Sequence, residues 1–117
     1  MAFKDKCRIL FANREIAELI NQHNLIEQAF NDFNVAVENW KKDSPKHYDK
    51  VFGNRTLEGM NVFVQEVSIR FSEWPECERQ YVVITIAIFD NGCYLGDYNW
   101  MYPISDKALA DDFLHIL

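Results

Sequence analysis

The sequence predicts an α+β fold: N-terminal helices packed on an antiparallel sheet of three or more strands, closed by a C-terminal helix. Three observations carry this. Tyr81-Val-Val-Ile-Thr-Ile-Ala-Ile-Phe89 is apolar at almost every position, the mark of a strand buried on both faces. Asn91-Gly92 follows it, and this pair tolerates the positive φ angles of a two-residue hairpin turn. Helical periodicity is confined to the ends of the chain, so the strand–helix alternation of a parallel sheet is missing.

The elements follow in order. From Ile9 an apolar stripe runs through Ala12, Ile16, Leu19, His23, Ile26, Phe30, Phe33, Val37 and Trp40, at spacings that alternate three and four. As one helix it would be a rod of roughly 45–50 Å. Asn21-Gln-His-Asn24 offers a break, with Asn24 as cap and Glu27 at the capping-box position. Two helices, about 10–21 and 25–42, are therefore expected, with a single rod as the alternative. Ser44-Pro45 to Gly53 reads as a short third helix, with Pro at its first position and Gly past its end. Residues 54–59 are a loop.

Met60 to Ser72 reads as a strand whose alternation is interrupted at Gln65–Glu66, where a bulge is expected. A loop, Glu73-Trp-Pro-Glu-Cys-Glu-Arg79, leads to the hairpin. A plain two-residue loop sets Phe89 opposite Tyr94, Ala87 opposite Gly96, Thr85 opposite Tyr98, Val83 opposite Trp100 and Tyr81 opposite Tyr102. The Tyr/Trp row then shares one face around a dent at Ala87 and Gly96. Val82, Ile84, Ile86 and Ile88 share the other with Leu95, Asp97, Asn99 and Met101. Ser105, with Ile104 against Leu109, reads as the start of a final helix burying Leu109, Phe113, Ile116 and Leu117.

The 117 residues fit one domain, 1–117, with no linker or repeat. Formal net charge is −6, unevenly placed. Residues 58–117 hold ten acidic and three basic side chains, a net of −7, against +1 for residues 1–57. This argues against nucleic acid or an anionic membrane as partner and is compatible with a basic protein. Cys7, Cys77 and Cys93 show no C-x-x-C spacing. With no signal peptide or long apolar run, reduced thiols in a cytoplasm are expected.

Catalytic chemistry finds little support. No two of His23, His47 and His115 have the spacing of a zinc-binding helix, and no phosphate loop, nucleophile elbow or dinucleotide fingerprint is present. No metal or cofactor is expected, and the chain reads as a non-enzyme. Asp97 and Asn99 are either water-facing on an edge strand or buried and hydrogen-bonded. The expected partner-binding residues are Glu73, Trp74, Glu76 and Glu78 of the acidic loop with Asp97, Tyr98, Trp100 and Tyr102 of the hairpin. Carboxylates beside aromatic anchors suit an interface that steers and holds a basic protein. The same Tyr/Trp row also reads as plain core or a half-covered sheet face, the favoured alternative since aromatics are good strand formers, or as a pocket wall.

In size, acidity, single α+β domain and lack of a catalytic motif, the whole chain resembles bacterial immunity proteins of contact-dependent growth inhibition and polymorphic-toxin systems. That resemblance implies a cytoplasmic protein that binds and neutralises a cognate, basic toxin domain. The helices before strands, the Ala87/Gly96 dent and the Tyr/Trp row are also similar to the cone-shaped NTF2-like fold. That likeness implies a small-molecule-binding protein or small enzyme with an aromatic-lined pocket.

Overall fold

The structure is a computed structural model that describes residues 14–73, 75, 76, 78–105 and 107–117. Three helices and a four-stranded antiparallel sheet make an α+β arrangement. Helix α1 is described over residues 14–23, α2 spans Leu25–Asp43 and α3 spans Pro45–Phe52. A 3-10 turn, Leu57–Gly59, leads into the sheet. Its strands are β1 (Asn61–Ser72), β2 (Arg79–Asp90), β3 (Cys93–Pro103) and β4 (Asp111–Ile116), in the order β1-β2-β3-β4.

The long apolar stripe does break where Asn21–Asn24 allows it. Asn24 takes a left-handed conformation (φ 52°, ψ 45°), which Asn adopts more readily than most side chains. The expected capping box is absent: Asn24 makes no side-chain cap bond, and the Gln28 amide donates to the His23 carbonyl at 2.6 Å instead. Pro45 begins α3, and Gly53 (φ 61°) ends it by donating its N–H to Asp49 O at 2.7 Å. Arg55 fastens this corner: its Nε donates to Phe52 O at 2.9 Å while its guanidinium pairs with Asp90 at the hairpin turn.

The core lies between α2 and the sheet. Leu25, Ala29, Phe33 and Val37 recur every fourth residue and so form one buried stripe along α2. They pack with Val82, Ile84, Ile86 and Ile88 of β2, all fully buried. Each of these β2 side chains contributes roughly 1.5–3 kcal/mol by leaving water. The expected bulge in β1 falls between Val64 and Glu66. By this shift Val62, Val64, Val67 and Ile69 all share the helix-side face, while Phe63 turns to the other.

The hairpin register differs from the one a plain turn dictates. Asn91 (φ 49°) and Gly92 (φ 79°) form the turn, and Phe89 does pair with Tyr94. The next pair, however, is Ile88 with Gly96, so Leu95 is an extra residue in β3. One inserted residue sends every later side chain to the opposite face. Tyr98, Trp100 and Tyr102 therefore join the isoleucine row beneath the helices, opposite Ile86, Ile84 and Val82. Asp97, Asn99 and Met101 move to the other face, opposite Ala87, Thr85 and Val83. The Ala87/Gly96 dent does not form, because those residues are no longer partners.

The C-terminus is also a correction: residues 111–116 are strand β4, not helix. Asp112, Leu114 and Ile116 alternate with Phe113 and His115, a period-two pattern too short to stand out beside the helical spacing of Leu109, Phe113 and Ile116. Ser105 caps no helix. Its hydroxyl accepts the Gln80 N–H at 2.9 Å and donates to Glu78 O at 2.7 Å, tying the crossover to the start of β2. The chain is then free to pair along β3, satisfying main-chain groups that a three-stranded sheet would leave open.

Candidate functional site

The two faces of the sheet are unlike. On the helix side the Tyr/Trp row is structural. Tyr98 is fully buried against Phe33, with ring centroids 5.6 Å apart, and donates its hydroxyl to Asp112 at 2.6 Å. Trp100 is 7% exposed and donates its indole N–H to Asp32 of α2 at 2.7 Å. Tyr102 is half-buried between Trp100 and the exposed His23. Tyr98 and Trp100 thus leave the set of expected partner-binding residues and become the polar seam that fixes α2 and β4 on the core.

The acidic loop stands elsewhere. Glu73, Glu76 and Glu78 are exposed, but Glu73 pairs with Arg79 at 3.6 Å and Glu78 with Lys107 at 3.1 Å. Trp74 and Cys77 lie outside the described residues, as does Cys7. The loop joins β1 to β2 beside Arg79, whereas Asp97 lies opposite Ala87. Eight strand residues separate those levels, roughly 25 Å. Asp97 is therefore not adjacent to the acidic loop, whereas Tyr102, opposite Val82, stands three residues from the level of Arg79.

The face away from the helices carries a different constellation. At its lower end, residues around Ala108 fold over Tyr81, Val83 and Met101. Towards the hairpin turn, Phe63, Phe89 and Tyr94 form an aromatic run, with centroids 5.7 Å and 5.4 Å apart. Phe113 and His115 of β4 stack at 6.5 Å on its far side, at the levels of Asn99 and Asp97. Phe63 is 44% and Phe113 62% exposed, large values for phenylalanine in a strand.

Between these aromatics runs a hydrogen-bonded chain. The Thr85 hydroxyl donates to Asn99 Oδ1 at 2.8 Å, the Asn99 amide donates to Asp97 Oδ1 at 2.9 Å, and the Tyr94 hydroxyl donates to the other Asp97 oxygen. Burial, and then the bond to Asp97 and its charge, push the Tyr94 hydroxyl up to about 12, so Tyr94 remains a neutral donor at physiological pH. Asp97 is thereby held in one orientation by two side chains. A fixed carboxylate rimmed by aromatic faces is a seat for a guanidinium or ammonium group, by charge and by cation–π contact. Among the described residues no group of three His, Cys, Asp or Glu side chains could hold a metal ion.

The described clefts are open and hold about 310–430 Å³. The largest of them lies between α2 and β4, lined by Ala36, Trp40, His47, Leu114, His115 and Ile116. His47 is exposed, and its Nδ1 accepts the Trp40 N–H at 3.0 Å. His23 is also exposed, and His115 lies on β4.

Of the ring of Phe63, Phe89, Tyr94 and Phe113, the Phe89–Tyr94 pair was apparent from the hairpin turn, whereas Phe63 joins it through the pairing of β1 and Phe113 through β4. Gly96 is the one local signal: a glycine inside a strand marks a bulge or a close approach. Here it marks both, since a Cβ would stand 2.3 Å from His115 O. Among the described residues no helix is long and apolar enough to cross a membrane. No family model, curated protein or solved structure matches the chain.

Proposed function

We propose that this protein is a non-enzymatic binding module of the immunity type, which captures a basic toxin domain in the cytoplasm. The supporting observation is the uncovered sheet face: an oriented Asp97 among Phe63, Phe89, Tyr94 and Phe113, in the half of the chain that carries the negative charge. Exposed aromatics around a polar centre suit a protein interface, and a net negative surface accelerates encounter with a basic partner. The acidic loop takes a secondary role. Glu73 and Glu78 are already neutralised in part by Arg79 and Lys107, which leaves Glu76 to steer. The pocket-protein reading is weakened, because Tyr98 and Trp100 of its aromatic row are buried beneath the helices.

The test is surface plasmon resonance against the protein encoded next to this one, at two salt concentrations. Phe113→Ala removes an exposed ring and should weaken binding by about 2 kcal/mol, mainly through faster dissociation. Asp97→Asn should weaken it through loss of the charge. Reversing Glu73, Glu76 and Glu78 to Lys should slow association and flatten its salt dependence. Tight binding indifferent to Phe113→Ala and Asp97→Asn would sink this assignment of the interface.

A further inference from the structure

The sheet has two edges, and they differ. The outer edge of β4 is only six residues long. Part of it is occupied from within, since the Asp111 carboxylate accepts the Asp112 N–H at 2.9 Å. The edge formed by β1 is twelve residues long. From Glu66 to Ser72 it has no Pro, no Lys and no bulge, three of the devices by which proteins commonly blunt an open edge, and its two charges, Glu66 and Arg70, are of opposite sign.

The direction of its main-chain groups follows from the register. Asp90 and Cys93 close the two-residue turn as a hydrogen-bonded pair, so β2 residues 81, 83 and 85 turn their N–H and C=O groups towards β1. Their partners there are Arg70, Ser68 and Glu66. Val67, Ile69 and Phe71 consequently aim their main-chain groups out of the sheet.

We infer that two copies of this chain pair through β1, antiparallel about a two-fold axis at Ser68, to form one continuous sheet. At that register Val67 and the partner subunit's Ile69 exchange main-chain hydrogen bonds, and the same holds in reverse. Glu66 then stands directly opposite the partner subunit's Arg70, and Arg70 opposite the partner subunit's Glu66. These fall at non-hydrogen-bonded positions, where side chains come closest. Within one chain Glu66 and Arg70 are roughly 13 Å apart along the strand and cannot meet. Both are exposed, and among the described residues neither has an ion-pair partner. A shift of the axis to Val67 or Ile69 breaks both pairs, so the charges select the register.

The other face of the edge is apolar in the same span. Val67 is 40% and Phe71 50% exposed. Beside them an open cleft of about 370 Å³ is walled by Ile16, Ala17 and Ile20 of α1 with Ile69. Pairing at β1 brings two such margins together. It leaves the Asp97 face of each copy on the same side of the joined sheet and does not depend on the proposed partner.

Sedimentation velocity of the full chain over a concentration series tests this. A reversible dimer of twice the 13.8 kDa chain mass is expected. Arg70→Glu faces like charges twice and should raise the dissociation constant about tenfold. Adding Glu66→Arg to that variant exchanges the signs and should restore dimerisation, which a merely structural effect would not do. Val67→Pro removes an outward N–H and should give a monomer with an unchanged far-ultraviolet spectrum. A chain that stays monomeric up to hundreds of micromolar, or a dimer that ignores the charge reversal, would overturn the inference. So would a double variant no stronger than Arg70→Glu alone.

Discussion

Gly96 shows how much one side chain can decide. A Cβ at this position would meet His115 O at 2.3 Å and the Ile116 Cα at 3.1 Å, both main-chain atoms of a paired strand that cannot swing aside. Gly96→Ala should therefore push β4 from β3 and destabilise the fold by roughly 1–3 kcal/mol, read from urea unfolding. An unchanged midpoint would mean that β4 docks more loosely than its register implies. The tyrosines make a second test. Tyr94 is pushed up to about 12, and Tyr98 is pushed strongly upward by burial, by its bond to Asp112 and by the charges of Asp112 and Asp32. An unfolded tyrosine ionises near pH 10. The folded chain holds these protons longer, so their contribution to stability is complete below about pH 10 and is lost as pH rises through 12. Unfolding midpoints measured from about pH 9 to pH 12 should fall, and Tyr98→Phe should flatten the fall. A midpoint that rises across this window would contradict the buried, donor role of both hydroxyls.

At the scale of elements, what was legible in the sequence was what local chemistry fixes. Pro45 and Gly53 bound α3, Asn91-Gly92 makes the turn, and the break in alternation at Gln65 is a real bulge. Asn24 interrupts the helical stripe, though by its own backbone conformation rather than by capping. Two things were illegible because their causes lie far away in sequence. The Leu95 bulge is favoured once Tyr98 and Trp100 can reach Asp112 and Asp32, partners 14 and 68 residues distant. That single insertion moved Asp97 from the core side to the open face and exchanged the candidate site for another. Residues 111–116 carry helical spacing, but they pair because β3 offers an edge, and tertiary context overrides propensity. Ser105 directs that crossover with its two main-chain contacts. Ser105→Ala should cost about 1–2 kcal/mol and speed hydrogen exchange at the Gln80 amide. Loss of helical signal in this variant, without faster exchange, would restore the helix-cap role instead.

At the scale of the molecule, one apolar cluster reaches every element. Ile16, Leu19 and Ile20 of α1 touch it. So do the α2 stripe, Phe52 of α3, Val62 and Val64 of β1, the β2 isoleucines, Tyr98 and Trp100, and Leu114 and Ile116 of β4. No part of the described chain has a separate core large enough to remain folded alone; the only other cluster is Tyr81, Val83 and Ala108 with Met101. Helix and sheet should therefore unfold together. Ile86 is the place to test it, being fully buried at the centre of β2 between Val64 and Tyr98. Ile86→Ala removes methyl groups from a site walled by strands on both sides and by α2 above, where little can collapse into the gap. The cost should be roughly 2–5 kcal/mol. That is a large part of the 5–15 kcal/mol typical of a domain, roughly, and it should lower stability without changing the urea slope. Far-ultraviolet circular dichroism follows the helices, while tryptophan fluorescence follows Trp40, Trp74 and Trp100, and in a Trp74→Phe background only Trp40 and Trp100, which pack on or in this cluster. The two transitions should coincide in the parent chain and shift by the same amount in Ile86→Ala. Separate transitions, with fluorescence shifted and the helical signal unmoved, would mean that α2 and the sheet do not share one cooperative core.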